Sequence, residues 1–243
     1  MAAQTPIIDW MTNVFDGMDG VLFDMDGTLV ETNIDFALMK REIVAFAESR
    51  GLPASLVQGL DILAVVNAVV EHVKASDGSG VAALVREEAF RLLEEIEIEP
   101  CSHAQPVAHA PELLDALRSA GLRVGIVTRN CRNAVACAME RTGISAEVLI
   151  TRDDVLNTKP HPDHLLSALR LLEVSPDRSM MVGDHRMDIQ GGKAAGMRTV
   201  GFLRPGRPAD FFGGFEPDLV IHDLGELLSA VERLKKRRPP HSG

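Results

Sequence analysis

The segment VLFDMDGTL, residues 21–29, is the most informative part of the sequence, because an unbroken apolar run passes directly into a polar turn. An apolar run without alternation is typical of a strand that is buried on both faces of a parallel sheet. Further runs of this kind cover residues 124–127, 148–150, 180–182 and 199–202. The pattern predicts five short parallel strands.

Stretches with helical periodicity lie between these runs, with proline near the start or glycine after the end of several of them. They cover residues 111–120, 132–142, 162–172 and 189–195. Strand and helix therefore alternate from about residue 111 onwards. This alternation predicts an α/β fold with a doubly wound, Rossmann-like parallel sheet.

The interval between the first and second runs is about a hundred residues, far more than one crossover helix needs. Residues 36–50, 54–74 and 81–97 have helical periodicity, with a turn at 77–80. We interpret residues 33–103 as a helical domain inserted after the first strand. The core domain would consist of residues 1–32 and 104–243, with 102–111 as the returning linker.

Composition excludes several classes of protein. The 243 residues include 25 Lys and Arg and 35 Asp and Glu, a formal net charge of −10. Such a charge argues against bulk attraction to nucleic acid or to an anionic membrane. No run of about 18 apolar residues indicates a membrane span. The basic segment 235–240 is interpreted as a solvated helix end followed by disorder.

The cysteines and the N-terminal segment indicate in which cellular compartment the protein is expected. Cys101, Cys131 and Cys137 are too scattered for a disulfide framework. The first eighteen residues have no basic start, and Asp9 interrupts their apolar residues, so they do not resemble a secretion signal. We expect a cytoplasmic protein that is a monomer or a small homo-oligomer.

Polar segments follow the apolar runs where ligands bind in open α/β sheets, at the carboxyl ends of the strands. They are DMDGTL (24–29), TRN (128–130), KPHP (159–162) and GDHRMD (183–188). Carboxylates, a hydroxyl group and an ammonium group should therefore converge on one edge of the sheet.

These four segments, in this order, resemble the four motifs of the haloacid dehalogenase superfamily of hydrolases, and the resemblance spans nearly the whole chain. The helical insertion is similar to the cap domain of the phosphoglycolate-phosphatase-like branch. The resemblance implies a Mg²⁺-dependent phosphatase acting on a small phosphorylated metabolite. It implies 2-phosphoglycolate or a sugar phosphate as the leading substrates.

The chemistry of phosphoryl transfer suits these residue types. A phosphomonoester dianion repels an anionic nucleophile, so attack by a carboxylate needs a divalent cation and further positive charge. Asp24 would be the nucleophile that forms an aspartyl-phosphate, and Asp26 the general acid and base. Thr28 would orient Asp26 within the substrate-binding loop. Thr128 and Lys159 would donate to the phosphoryl oxygens.

A Mg²⁺ site is predicted at the same place, because hard cations take oxygen ligands. Asp24, Asp184 and a main-chain carbonyl of Asp26 would hold the ion. Asp188 would either join them, directly or through water, or act as a partner of Lys159, and we prefer the metal-side role.

Other residues near the motifs are open to two interpretations. Arg129 and Asn130, beside the predicted hydroxyl donor, would contact substrate, although Arg129 could equally be a solvated loop residue. His185 could line the site. His161 and His164 are interpreted as surface residues at a helix start rather than as ligands.

The inserted helices should carry specificity, because a cap that closes over the cleft contacts the leaving group. Candidates that would face the cleft are Asn33, Lys40, Arg41 and Lys74. Positions at helical spacing are interpreted as cap core, namely Met39, Ile43, Phe46 and Ala47.

Asp26 also separates the alternatives. A dehalogenase does not use a second acid/base carboxylate there, and related phosphonate hydrolases replace it. A β-phosphoglucomutase-like phosphotransferase keeps both aspartates and stays the main alternative. A non-catalytic phosphate-binding protein on the same fold is a further alternative, but it would not need Asp26.

Overall fold

A six-stranded sheet forms the centre of the computed structural model, which describes residues 14–237. Its strands are β1 (Gly20–Phe23), β4 (Arg123–Val127), β5 (Val148–Ile150), β6 (Ser179–Gly183), β7 (Arg198–Phe202) and β8 (Leu219–Ile221). They lie in the order β5-β4-β1-β6-β7-β8, and every neighbouring pair is parallel. The predicted α/β fold is confirmed, and β8 is a strand that the sequence pattern did not reveal.

Helices cover both faces of the sheet, because successive side chains of a strand point to opposite sides. Val21 and Phe23 pack in the cluster that includes α5 (Ala110–Ser119) and α9 (Leu224–Arg237). Leu22, between them, packs with α7 (Pro162–Leu172) on the other face. On that face α8 (Arg186–Ala194) packs against β6 and β7.

The helices predicted between the strands are confirmed, with small shifts at their ends. Helix α6 (Arg132–Thr142) and α7 have the predicted bounds. Helix α8 begins at Arg186 rather than at residue 189, because His185 caps it by accepting the main-chain N–H of Met187 at 3.3 Å.

Four helices make up the segment between the paired strands at residues 30–31 and 105–106: α1 (Phe36–Ser49), α2 (Ala54–Val57), α3 (Ile62–Asp77) and α4 (Ser79–Ser102). The single helix predicted over 54–74 was wrong. Gly59 has a φ of +81°, and the Asp61 carboxylate caps α3 by accepting the N–H of Leu63 at 3.0 Å. A left-handed glycine followed by an N-cap ends one helix and begins another.

The predicted turn at 77–80 is confined to Gly78, whose φ of +85° separates α3 from α4. Met39, Ile43 and Ala47 of α1 are buried and Phe46 is half-buried against them, as the helical spacing predicted.

A short antiparallel ribbon closes the helical segment. Strand β2 (Val30–Glu31) pairs with β3 (Gln105–Pro106), with Val30 opposite Pro106. The predicted linker at 102–111 therefore contains a strand and the start of α5 rather than irregular chain. The chain leaves the core and returns to it at adjacent points.

Two terminal predictions fall partly or wholly outside the described residues. The apolar residues of the N-terminal segment lie there, as does the end of the basic tail beyond Arg237. Lys235–Arg237 form the last turn of α9. Within residues 14–237, no helix combines the length and apolarity needed to span a bilayer.

Candidate active site

The carboxyl ends of β1, β4 and β6 meet at a cavity of about 750 Å³ that is closed on its other side by helices α1, α3 and α4. Eight of the predicted site residues line this cavity: Asp24, Asp26, Thr128, Arg129, Asn130, Lys159, Asp184 and Asp188. The motifs, although distant in sequence, are thus brought together at one edge of the sheet.

Lys159 is fully buried between two carboxylates. Its Nζ lies 2.6 Å from Oδ1 of Asp24 and 2.7 Å from Oδ1 of Asp188. Burial lowers the pKa of Lys159, but Asp188 and Asp24 outweigh that effect and raise it above its usual value. The second oxygen of Asp188 accepts the main-chain N–H of His185 at 3.0 Å. Both oxygens of Asp188 therefore have donors, which favours its role as the partner of Lys159.

Asp24, Asp184 and Asp188 bring carboxylate oxygens within 4.8 Å of one another. Burial raises the pKa of Asp24 to about 7, although the neighbouring ammonium group opposes the shift. Burial and the other two carboxylates raise the pKa of Asp184 to about 8. A divalent cation would relieve this repulsion, and an all-oxygen donor set suits Mg²⁺. The residues present therefore fit the predicted ion.

Two glycines make room for this cluster. Gly27 has a φ of +81°, and a Cβ atom there would lie 2.5 Å from Oδ2 of Asp184. A Cβ atom on Gly183 would lie 2.3 Å from the carboxylate of Asp188. Larger residues at either position would displace a carboxylate of the site.

Thr28 does not have its predicted role. Its side chain is fully buried and is not part of the cavity wall; its Oγ1 accepts the main-chain N–H of Asp184 at 3.1 Å. The residue that orients Asp26 is Thr32, whose hydroxyl group donates to the Asp26 carboxylate. The sequence held no signal for Thr32, because only the turn after β1 brings it back to Asp26. Burial raises the pKa of Asp26, against the hydrogen bonds from Thr32.

The TRN segment turns sharply after β4. Thr128 is buried, and its Oγ1 accepts the main-chain N–H of Asn130 at 3.2 Å. Because that oxygen accepts, the hydroxyl hydrogen stays available to donate into the cavity. Asn130 is also buried and lines the cavity, as the sequence predicted.

Arg129 is not the solvated loop residue of one prediction; it lines the cavity, and its contact with substrate stays a prediction. Its guanidinium group forms an ion pair with Asp61, the residue that caps α3, and also contacts the sulfur of Met187. The core loop that carries Thr128 is thereby tied to the helical segment.

A second ion pair, absent from the sequence-based site, joins the same two parts of the chain. Glu97 of α4 pairs with Arg152, and each side chain is only 1% exposed. The second carboxylate oxygen of Glu97 accepts the main-chain N–H of Cys131 at 3.4 Å. Among the described residues, Nε and Nη2 of Arg152 have no hydrogen-bond partner. A signal did exist: Glu97 continues the four-residue spacing of the buried Ala89 and Leu93.

Of the four residues predicted to face the cleft, two line the cavity and two do not. Asn33 and Lys40 line the cavity, and Nζ of Lys40 donates to the main-chain oxygen of Leu60. Arg41 is exposed and does not line it. Lys74 lies at the far end of α3, where it pairs with Glu71 at 3.3 Å.

The histidines also differ from one another. His164 was wrongly interpreted as a surface residue: it is fully buried, and its Nδ1 accepts the main-chain N–H of Lys159 at 3.0 Å. Burial lowers the pKa of His164 to about 3, so the ring is neutral. His161 is partly exposed and caps α7, as a helix-start residue should. His185 lines the cavity beside Phe211.

Comparison with known proteins places this geometry in a family. Residues 21–202 match the family model described as haloacid dehalogenase-like hydrolase. Pyrophosphatase PpaX of Bacillus mycoides is 34% identical over 125 residues, which is 51% of this chain and 58% of that protein. The PpaX of Bacillus velezensis is 37% identical over 119 residues, 48% of this chain and 55% of that protein. The chain thus matches little more than half the length of these relatives.

Solved structures support the fold. A HAD phosphatase from Thermococcus onnurineus has a TM-score of 0.56 and 26% identity, covering 87% of this chain and 97% of that one. A phosphonoacetaldehyde hydrolase like protein from Oleispira antarctica has a TM-score of 0.64 at 17% identity, covering 93% and 97%. Because the family match spans most of the sequence and includes the cavity motifs, the chain belongs to the haloacid dehalogenase-like hydrolases.

Proposed function

We propose that this chain is a Mg²⁺-dependent phosphatase that hydrolyses a small phosphomonoester through an aspartyl-phosphate intermediate. The observation that carries the proposal is the buried Lys159 bridging Asp24 and Asp188, with Asp184 and Asp26 at the same end of the cavity. This arrangement places a nucleophile, a fixed cation and a metal-binding carboxylate around one point. The names of the relatives, a pyrophosphatase and a phosphatase, support phosphoryl chemistry.

Each side chain has a distinct part in the proposed reaction. Asp24 attacks phosphorus, and the phosphoryl group passes to its carboxylate as the bond to the leaving oxygen breaks. Lys159 and the Thr128 hydroxyl group donate to the phosphoryl oxygens, whose charge spreads in the transition state. Asp24 and Asp184, with a main-chain carbonyl of Asp26, would hold Mg²⁺, which supplies further charge neutralisation when bound.

Asp26 serves as the acid and then as the base. Burial favours its protonated form, and Thr32 holds the carboxyl group in place. Protonated Asp26 donates to the leaving alkoxide, and the resulting carboxylate then takes a proton from the water that hydrolyses the intermediate. The protein thereby regains its starting state.

We also propose that residues 33–103 act as the cap of this site, because Asn33, Lys40 and Leu60 from this segment line the cavity opposite the carboxylates. A cap in this position would exclude water from the intermediate and contact the leaving group. The molecule that binds between the cap and the carboxylates would then be a small phosphorylated metabolite.

Phosphate release from a panel of esters tests the proposal. The panel contains an aryl phosphate, 2-phosphoglycolate and sugar phosphates, each assayed with Mg²⁺ and with chelator. Asp24→Asn should abolish Mg²⁺-dependent release, and Asp26→Ala should lower turnover by about 10²–10⁴-fold. Asp163→Asn, at an exposed carboxylate near the start of α7, is the matched control. Turnover like that of the wild type in Asp24→Asn would refute the nucleophile assignment.

The phosphotransferase alternative has its own assay. Incubation with a hexose 1-phosphate and the corresponding bisphosphate separates the two reactions, because a mutase retains the phosphoryl group. Isomerisation without net release of phosphate would replace the phosphatase proposal.

A further inference from the structure

The wall that the helical segment contributes to the cavity is largely apolar. Its apolar members are Ile34, Phe36, Met39, Leu60, Ile62 and Leu63. Phe36 at the start of α1 is 50% exposed, and Leu60 before α3 is 37% exposed. Large apolar side chains usually avoid water, so exposed ones on a cavity wall suit contact with a ligand.

The charges of the same wall are already engaged within the protein. Asp61 pairs with Arg129, and Glu97 pairs with Arg152. The ammonium group of Lys40 donates to the main-chain oxygen of Leu60. An ammonium group has three donors, and Lys40 pairs with no carboxylate in the part of the chain that the structure describes, so Lys40 is the cation of this wall that a second anionic group could approach.

A cation on the core side of the cavity is engaged as well. Arg204 donates to the main-chain oxygen of Gly27 at 2.7 Å and to the carboxylate of Glu31 at 2.8 Å. The guanidinium group of Arg207 lies 4.7 Å from the ring centroid of Phe211, and no carboxylate pairs with it among residues 14–237. Arg207 is therefore, together with Lys40, an alternative anchor for a second anion, and each needs its own experiment.

We infer that the leaving group of the substrate is uncharged and apolar, so that the substrate is the phosphate ester of an alkyl or aryl alcohol. This inference rests on the proposed function, since it concerns the same cavity. A carboxylate or second phosphate against the apolar wall would lose hydration, and the cation it could approach there is Lys40, which already donates to the main-chain oxygen of Leu60. An alkyl or aryl group would instead remove Phe36 and Leu60 from water. Pyrophosphate and 2-phosphoglycolate should then be poor ligands.

A matched pair of non-hydrolysable ligands tests the inference without depending on turnover. n-Butylphosphonate and 4-phosphonobutyrate share a phosphonate group and an alkyl chain, but the second ends in a carboxylate. Calorimetric titration in saturating Mg²⁺ should show n-butylphosphonate binding at least about tenfold more tightly. Along the series from ethyl- to hexylphosphonate, affinity should rise by up to about fourfold for each CH₂ group buried.

Variants of the wall supply the second part of the test. Phe36→Ala and Leu60→Ala should each reduce the ratio of hexylphosphonate to ethylphosphonate affinity. Leu84→Ala is the matched control, because Leu84 is an equally apolar residue of α4 that is 60% exposed and does not line the cavity. Phe36→Leu should retain most of the selectivity. Circular dichroism verifies that each variant is folded.

The outcomes separate the two proposals. Equal or tighter binding of 4-phosphonobutyrate overturns the inference, and a loss of that binding in Arg207→Gln or in Lys40→Gln would assign a second anion site to the residue replaced. Unchanged chain-length selectivity in both Phe36→Ala and Leu60→Ala also overturns it. If n-butylphosphonate is preferred but no phosphate ester is hydrolysed, the ligand class is supported and the phosphatase proposal fails.

Discussion

Replacing Glu97 with glutamine would leave the charged, buried Arg152 guanidinium group with only the exposed Asp153, whose Oδ1 lies 3.9 Å from Nε, as a carboxylate neighbour. The side chains of Glu97 and Arg152 are each 1% exposed, so water does not screen the pair. Removing one member of a buried ion pair costs about 3–5 kcal/mol. Few acceptors could replace the Glu97 carboxylate, since the nearest other hydrogen-bond acceptor of Arg152 is the main-chain oxygen of Arg129 at 3.4 Å. For a chain of this size, that loss corresponds to a melting temperature lower by about 6–20 °C.

Thermal and urea unfolding, followed by circular dichroism, measure the effect. The matched control is Glu88→Gln, because Glu88 pairs with Arg50 on the surface of the same helical segment, where the side chains are 39% and 36% exposed. That change should cost less than about 1 kcal/mol. The double variant Glu97→Gln/Arg152→Met should recover most of the stability, because it removes the unpaired charge. A loss below about 1 kcal/mol in Glu97→Gln, or no recovery in the double variant, would show that the buried pair does not leave an uncompensated charge when Glu97 is replaced.

Three further predictions concern protons, metal and backbone. Burial holds the pKa of His164 at about 3 in the folded chain, below the usual 6.5, so folding excludes a proton. As the pH falls from 6.5 towards 3, this residue should therefore lower the free energy of unfolding by at most about 1.4 kcal/mol per pH unit. In urea titrations, His164→Asn should remove this pH dependence. Mg²⁺ at a hundredfold excess over its Kd should stabilise the wild type by about 2.7 kcal/mol, and chelator or Asp184→Asn should remove the shift in melting temperature. Gly27→Ala and Gly143→Ala should each lose about 1–2 kcal/mol, because both glycines have positive φ, but only the first meets Asp184. Stabilisation by Mg²⁺ should therefore weaken in Gly27→Ala alone, and equal weakening in both would contradict the proposed contact.

The parts of the fold that the sequence predicted are those with long or repeated signals. Buried parallel strands such as 124–127 are unbroken apolar runs, and a helix such as α7 begins at a proline and keeps its periodicity to its end. Strands β2 and β3 have two residues each, and no periodicity can be read from two residues. Their pairing depends on where the chain returns, which local sequence does not specify.

The candidate site was predictable where residue type and strand position coincide. Asp24 and Asp184 follow strands directly, so the edge of the sheet gathers them. Thr32 acts on Asp26 only because the intervening turn folds back, and His164 is buried only because α7 packs against the sheet. Contacts of this kind arise from tertiary structure, which overrides the local preference of a polar residue for the surface.

The antiparallel ribbon of β2 and β3 makes residues 33–103 resemble an exchangeable part, since both ends of the segment meet at one place on the core. Yet Arg129 and Arg152 belong to the core, and their carboxylate partners Asp61 and Glu97 belong to the segment. A chimera with a segment from another protein would keep the guanidinium groups of Arg129 and Arg152 but would lose the carboxylates of Asp61 and Glu97 that pair with them. Exchange of the segment between relatives therefore has to transfer or replace both partners of each ion pair. The part of the chain that must be exchanged as a whole is larger than residues 33–103.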